Sequence, residues 1–269
     1  MKTTQKLIVV FAAALVILSG TGCNKLKARD HLNKGVQAYK NSKFEQAIDH
    51  FQQAVALDPS LINARLYLAT AFAQQYIPGA DTPENNHYGE QAIEQYKQVL
   101  QVDPRNINSI KGIAYLYLQM KKFDLAKEYY KKASEVDPND PEPYYSVAVI
   151  DWTQAYVPRQ EERAKLGMKP EDPGPLKDKK VKAELKVKWE PVVKEGLKNL
   201  EKALEIDKEY DDAMAYMNLL VRELADLSDT PDEYKKQIDI ADSWVQKALE
   251  TKKIKAARQP ATQGITTDK

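Results

Sequence analysis

The side chains in this sequence that could carry chemistry are few. Cys23 is its single cysteine, and His31, His50 and His87 are its three histidines. One thiol excludes an internal disulfide framework and any multi-cysteine zinc or iron–sulfur centre. The histidines show no ligand-type spacing, so neither a metal nor another cofactor is expected. Ser109 and Ser146 fall in helical stretches without a histidine pattern to activate them. Gly79, Gly89 and Gly112 are isolated and build no phosphate loop. The acidic pairs Asp211-Asp212 and Glu161-Glu162 suit helix starts and solvated surface, because carboxylates favour helix N-termini. This inventory predicts no catalytic activity. It leaves one thiol open to modification and a set of aromatic and basic side chains suited to recognition.

The elements that must position those side chains begin with an address. Lys2 and Lys6 precede an unbroken apolar run, Leu7 to Leu18, then Ser19-Gly20-Thr21-Gly22-Cys23. A basic start, a short apolar core and small residues describe a secretory signal over residues 1–22. The run is too short to span a bilayer, which takes about 18–20 residues as a helix. The cysteine directly after the small residues resembles the end of a bacterial lipoprotein signal, and that resemblance implies lipidation of Cys23. Gly20 and Gly22 also suit ordinary cleavage before Cys23, which would leave an exported protein with a bare thiol. Residues 23–27 then read as a short tether.

Charge and composition set further bounds. Forty Lys and Arg against 39 Asp and Glu give a formal charge of +1. Loss of Lys2 and Lys6 with the signal makes the balance −1. No nucleic-acid partner is expected, because such binding rests on a strong basic excess. An apolar share of 43% in 269 residues is too high for a disordered chain and supports a real core.

Beyond Ala28 the sequence repeats. FEQAIDHFQQAVALDP, GEQAIEQYKQVLQVDP and FDLAKEYYKKASEVDP are one unit written three times, and Pro104 to Pro138 is 34 residues. Gly35, Ala47 and Ala54 are small at spacings where two antiparallel helices approach closely, and Phe44 and Phe51 flank them two turns apart. Asp58-Pro59, Asp103-Pro104 and Asp137-Pro138 stop each second helix, since proline lacks the amide hydrogen and disfavours helix in the residue before it. A single hairpin cannot bury both faces, so neighbours must stack. The pattern resembles the tetratricopeptide repeat. The resemblance implies an all-α solenoid of helix–turn–helix hairpins over residues 28–250, with about five repeats near 28–61, 62–106, 107–140, 141–210 and 211–250. A polar tail, 251–269, is expected to follow.

Three repeats are longer than 34. Pro59 to Pro104 is 45, Ala203 to Ala248 is 45 and Pro138 to Lys208 is 70, and each excess lies between the first and second helix of its unit. Ile77 to Pro83 reads as a loop. Thr230-Pro231-Asp232-Glu233 reads as a capped helix start that lengthens repeat five. Tyr76-Ile77-Pro78 and Tyr156-Val157-Pro158 are expected to end the first helices of repeats two and four alike. Lys177 to Lys188, with six lysines, reads as a charged helix leading into Trp189. Tyr76 and Tyr156 are then either packing plugs beneath the inserts or ligand contacts.

In the family that the repeats resemble, first helices line a groove that binds other proteins or peptides. By register the groove positions are Tyr39, Asn63, Leu66, Asn108, Lys111, Tyr115, Leu118, Tyr145, Trp152 and Arg222. Tyr, Trp and Arg are the side chains that most often anchor interfaces. Packing of these same residues against the inserts is the competing reading. The family's carboxylate clamp is not matched, because only Lys111 falls at a suitable position. The expectation is an interaction scaffold in the bacterial cell envelope, facing the periplasm and anchored to a membrane through lipid on Cys23. Lipoproteins of this size and repeat count resemble accessory subunits of outer-membrane barrel, pilus or secretin assembly. A binder of a small molecule or glycan is the alternative.

Overall fold

The computed structural model describes residues 23–169 and 172–258. The signal segment 1–22, Pro170 within the repeat-four insert and the end of the tail lie outside the described residues. Among the described residues there is no strand, and no helix is long and apolar enough to cross a membrane.

The helices follow the repeat pattern. In chain order they are α1 (23–40), α2 (Phe44–Leu57), α3 (Ile62–Gln75), α4 (Pro83–Val102), α5 (Ile107–Gln119), α6 (Phe123–Val136), α7 (Pro141–Lys165), α8 (Lys179–Ile206), α9 (Asp211–Asp226) and α10 (Pro231–Arg258). Odd-numbered helices open a hairpin and even-numbered ones close it. The chain divides into two compact units, Met1–Tyr129 and Tyr130–Lys269.

In the first unit the small residues do what the spacing requires. Ala47, Ala54, Ala69, Ala92, Ala114 and Ala126 have no solvent exposure. Gly35 lets α1 lie directly on α2, since a Cβ there would stand 2.5 Å from the Phe51 ring. The ordinary hairpin turn is short and puts one residue in the left-handed region, Ser42 in repeat one and Lys121 in repeat three. In repeat two a loop replaces that turn. Thr82 caps α4 by accepting from the Asn85 amide, and Pro83 opens the helix, where a missing N–H costs nothing.

In the second unit Ala148, Val193, Leu200, Ala203, Ala213 and Leu220 join a core that α7, α8 and α9 share. A smaller core of Met168, Leu176, Leu185 and Leu227 sits beneath the repeat-four insert. At Thr230 the capping box forms in full. The Thr230 hydroxyl accepts from the Glu233 amide, and the Glu233 carboxylate accepts from the amides of Thr230 and Asp229.

Three sequence expectations change. Residues 23–27 are not an extended tether: α1 already includes them, because Lys25-Leu26-Lys27-Ala28 contains only good helix formers. Residues 251–258 are not tail: α10 continues to Arg258, whose guanidinium pairs with Glu209 at 2.6 Å while Lys255 pairs with Asp211. The hydrogen bond from Lys255 holds the Asp211 carboxyl below its ordinary range. And Tyr156-Val157-Pro158 does not end the first helix of repeat four. α7 runs through Pro158 for seven further residues, whereas Tyr76 does cap α3. A proline inside a helix costs about 3 kcal/mol through its lost hydrogen bond. The contacts made by the extension, described next, offset that cost.

Candidate functional site

In the first unit α3 touches α5, so first helices of successive repeats lie side by side. Their outward residues are polar, aromatic and aliphatic. Asn63 and Asn108 are exposed, Leu66, Lys111 and Leu118 are half-buried, and Tyr115 is 50% exposed. The predicted positions on α3 and α5 therefore share one face. Tyr67, which the register did not single out, belongs to it: it lies one turn from Asn63, is 42% exposed and stacks on Phe51 at 5.6 Å. Tyr39 on α1 is half-buried and meets Phe44 edge-on at 5.3 Å.

The insert of repeat two is organised by Asn85, a buried residue with no sequence signal. Its side chain accepts from the Ile77 amide (2.7 Å) and donates to the carbonyls of Ile77 (2.9 Å) and Ala80 (2.6 Å). Tyr76 packs beneath the loop beside Gly89, where a Cβ would stand 3.0 Å from its ring and 2.2 Å from Met120. Tyr76 is half-buried there. An open cleft of about 450 Å³ lies beside the loop, lined by Tyr76, Asp81, Glu90 and Met120 among others.

In the second unit the predicted aromatics are brought together, but largely by one another. Tyr145 lies 5.0 Å from Tyr210 and 5.4 Å from Tyr216. Trp152 lies 5.6 Å from Tyr216 and 4.8 Å from Tyr156. Burial pushes the hydroxyls of Tyr145, Tyr210 and Tyr216 above the ordinary phenol range, with Asp212 adding to each. The internal stacking takes up much of the ring area that Tyr145 and Trp152 were expected to offer a partner.

Beneath this stack lies a charge network that the sequence did not reveal. Arg159 binds Glu223 through two nitrogens and also reaches Asp226. Arg163, 2% exposed, donates to Asp226 (2.9 Å) and to the carbonyls of Lys169 (2.9 Å) and Asp172 (2.6 Å). The Asp226 carbonyl accepts from the Leu176 amide at 3.0 Å, and Lys182 donates to the Ser228 carbonyl at 2.7 Å. Together these bonds tie the repeat-four insert to the end of α9. Burial raises the Glu223 carboxyl against the opposing pull of Arg159. For Arg159, burial works against the charge, but Glu223 and Asp226 outweigh it and hold the guanidinium charged.

A cleft of about 310 Å³ opens over this network. It is lined by Trp152, Tyr156, Arg159, Arg222, Glu223 and Tyr234 among others. The predicted Arg222 stands at this cleft, bonded to Asn218 (2.8 Å) and paired with Asp242. The sequence marks Tyr156 as a plug or ligand contact, whereas Arg159 escaped the register because it stands beyond the ordinary helix length.

The described residues hold no group of three or more His, Cys, Asp or Glu side chains able to hold a metal ion. Cys23 is exposed.

Comparison with known proteins agrees with this geometry. Residues 28–61 and 89–150 match sequence models of the tetratricopeptide repeat. No curated protein matches the chain in sequence. Among solved structures, a crystal structure of MamA superposes with a TM-score of 0.56 at 14% identity, covering 87% of this chain and 97% of that one. MamA from Desulfovibrio magneticus RS-1, from residue 41 onward, gives 0.55 at 13% identity, covering 85% and 96%. At such identities the likeness concerns the fold alone. With the repeated small residues buried at the hairpin contacts, residues 28–61 and 89–150 of this chain carry tetratricopeptide repeats.

Proposed function

We propose that this chain is a non-catalytic protein-binding scaffold of the bacterial cell envelope, exported by its N-terminal signal and held to a membrane by lipid on Cys23. The observation that carries the binding reading is the exposed face of α3 and α5, where Tyr67 and Tyr115 are the most exposed aromatics among the described residues, beside Asn63 and Asn108. An exposed tyrosine set among short polar side chains offers contact area at small entropic cost, as interface anchors do. The anchoring reading rests on the position of Cys23 after the apolar run and on its exposure.

Each half has its own test. Replacing Tyr67 and Tyr115 together by Ala is expected to weaken capture of native partners from envelope extracts by about 2 kcal/mol, near thirtyfold. Undiminished capture would remove that face from the reading. Cys23→Ala is expected to shift the protein from the membrane to the soluble fraction and to change its mobility on a gel. A variant that stays on the membrane with unchanged mobility would rule out the lipid.

The cleft beside Trp152 favours a second reading, a small molecule or glycan. Its aromatic wall and bonded Arg and carboxylate groups are the mixture that sugar rings and hydroxyls engage. A saccharide that raises the melting temperature, with no protein captured, would decide for it.

A further inference from the structure

The fold brings together two of the three histidines. His31 on α1 and His50 on α2 are 19 residues apart, yet their Nδ1 atoms lie 3.3 Å from each other. Their ring centres are 5.5 Å apart and the rings are inclined at 47°. Both residues are half-buried, so the pair is held in place but open to solvent. In a neutral pair one Nδ1 carries a hydrogen and donates to the lone pair of the other.

The spacing has a second meaning. A tetrahedral zinc ion bonds imidazole nitrogen at about 2.0–2.1 Å, so two such ligands stand about 3.3–3.4 Å apart, nitrogen to nitrogen. The same geometry puts the two ring centres about 5 Å apart. Both measured separations are close to these values. Loading an ion needs only that the donating histidine move its hydrogen from Nδ1 to Nε2, a change of tautomer without loss of charge.

We infer that His31 and His50 form a two-imidazole site for a borderline divalent cation, zinc or a neighbouring late transition ion, clasping α1 to α2. With no three-residue ligand group among the described residues, water completes the coordination. Such a site is weaker than a four-ligand structural one and exchanges its ion readily. It lies in the first hairpin, so the bound ion stabilises the amino-terminal end of the repeat array. The inference is independent of the partner-binding reading.

Tag-free full-length protein at neutral pH would be titrated with zinc chloride and, separately, copper(II) chloride. The expected result is one equivalent bound, a melting temperature raised by ~2–4 °C at ~1 mM zinc, and reversal by chelator. Copper should show two equivalent nitrogen couplings in its paramagnetic resonance spectrum. His31→Gln and His50→Gln should each abolish the shift while keeping the helical circular dichroism; His87→Gln and Cys23→Ser should leave it intact. No saturable binding by the unaltered protein, binding that survives both histidine changes, or binding that follows Cys23 would each overturn the inference.

Discussion

Asp226→Ala is expected to destabilise the second unit by about 3–5 kcal/mol, the range for breaking a buried ion pair from one side. The carboxylate of Asp226 serves both Arg159 and Arg163, and Arg163, 2% exposed, has almost no water to replace it. The Nε of Arg163 is already buried without a partner among the described residues, so the side chain has little reserve. At about 2–4 °C per kcal/mol, the melting transition should fall by roughly 10 °C. Thermal denaturation followed by tryptophan fluorescence suits the measurement, since Trp152 lines the same cleft as the network. The control is Arg222→Ala, whose pair with Asp242 is solvent-exposed and worth less than about 1 kcal/mol. Equal effects from the two changes would mean that the network is not buried as described.

Ala126→Arg is expected to cost more than about 3 kcal/mol and to abolish cooperative unfolding of the first unit. Ala126 has no exposed surface at the helix contact of repeat three, so the longer side chain must either displace α6 or bury a charge. Its neighbour Leu125 is 40% exposed, and Leu125→Arg should stay within about 0.5 kcal/mol of the parent. Chemical denaturation of both variants tests the register residue by residue. A tolerant position 126 beside a sensitive 125 would shift the whole repeat frame by one.

That frame was legible in the sequence because its signals are local and recurrent. Small residues at close helix contacts and Asp-Pro at each hairpin end need no knowledge of distant partners, and Ala47, Ala54, Ala92 and Ala126 are buried as their spacing required. The turn chemistry was legible too, as Thr82 and Thr230 show. What could not be read depends on pairs remote in sequence. Pro158 looks like a helix stop until the partners of the two arginines after it appear, 63 to 67 residues away. Of the candidate site, the register placed Asn63, Asn108 and Tyr115 on an open face but could not foresee that Tyr145 and Trp152 would stack within their own unit. Nor could three scattered histidines announce that two of them meet.

The long insert of repeat four has a consequence for the history of the chain. Its arginines neutralise two acids on another helix, so insert and helix depend on each other. Deleting residues beyond Ala155 to restore a repeat of ordinary length would leave Glu223 and Asp226 facing a core with no counter-charge. Reversal would need the insert and both acids to change in one step, or in an order that passes through a destabilised intermediate. Insert and helix therefore act as one unit of change: the arginines and the acids that they neutralise must alter together.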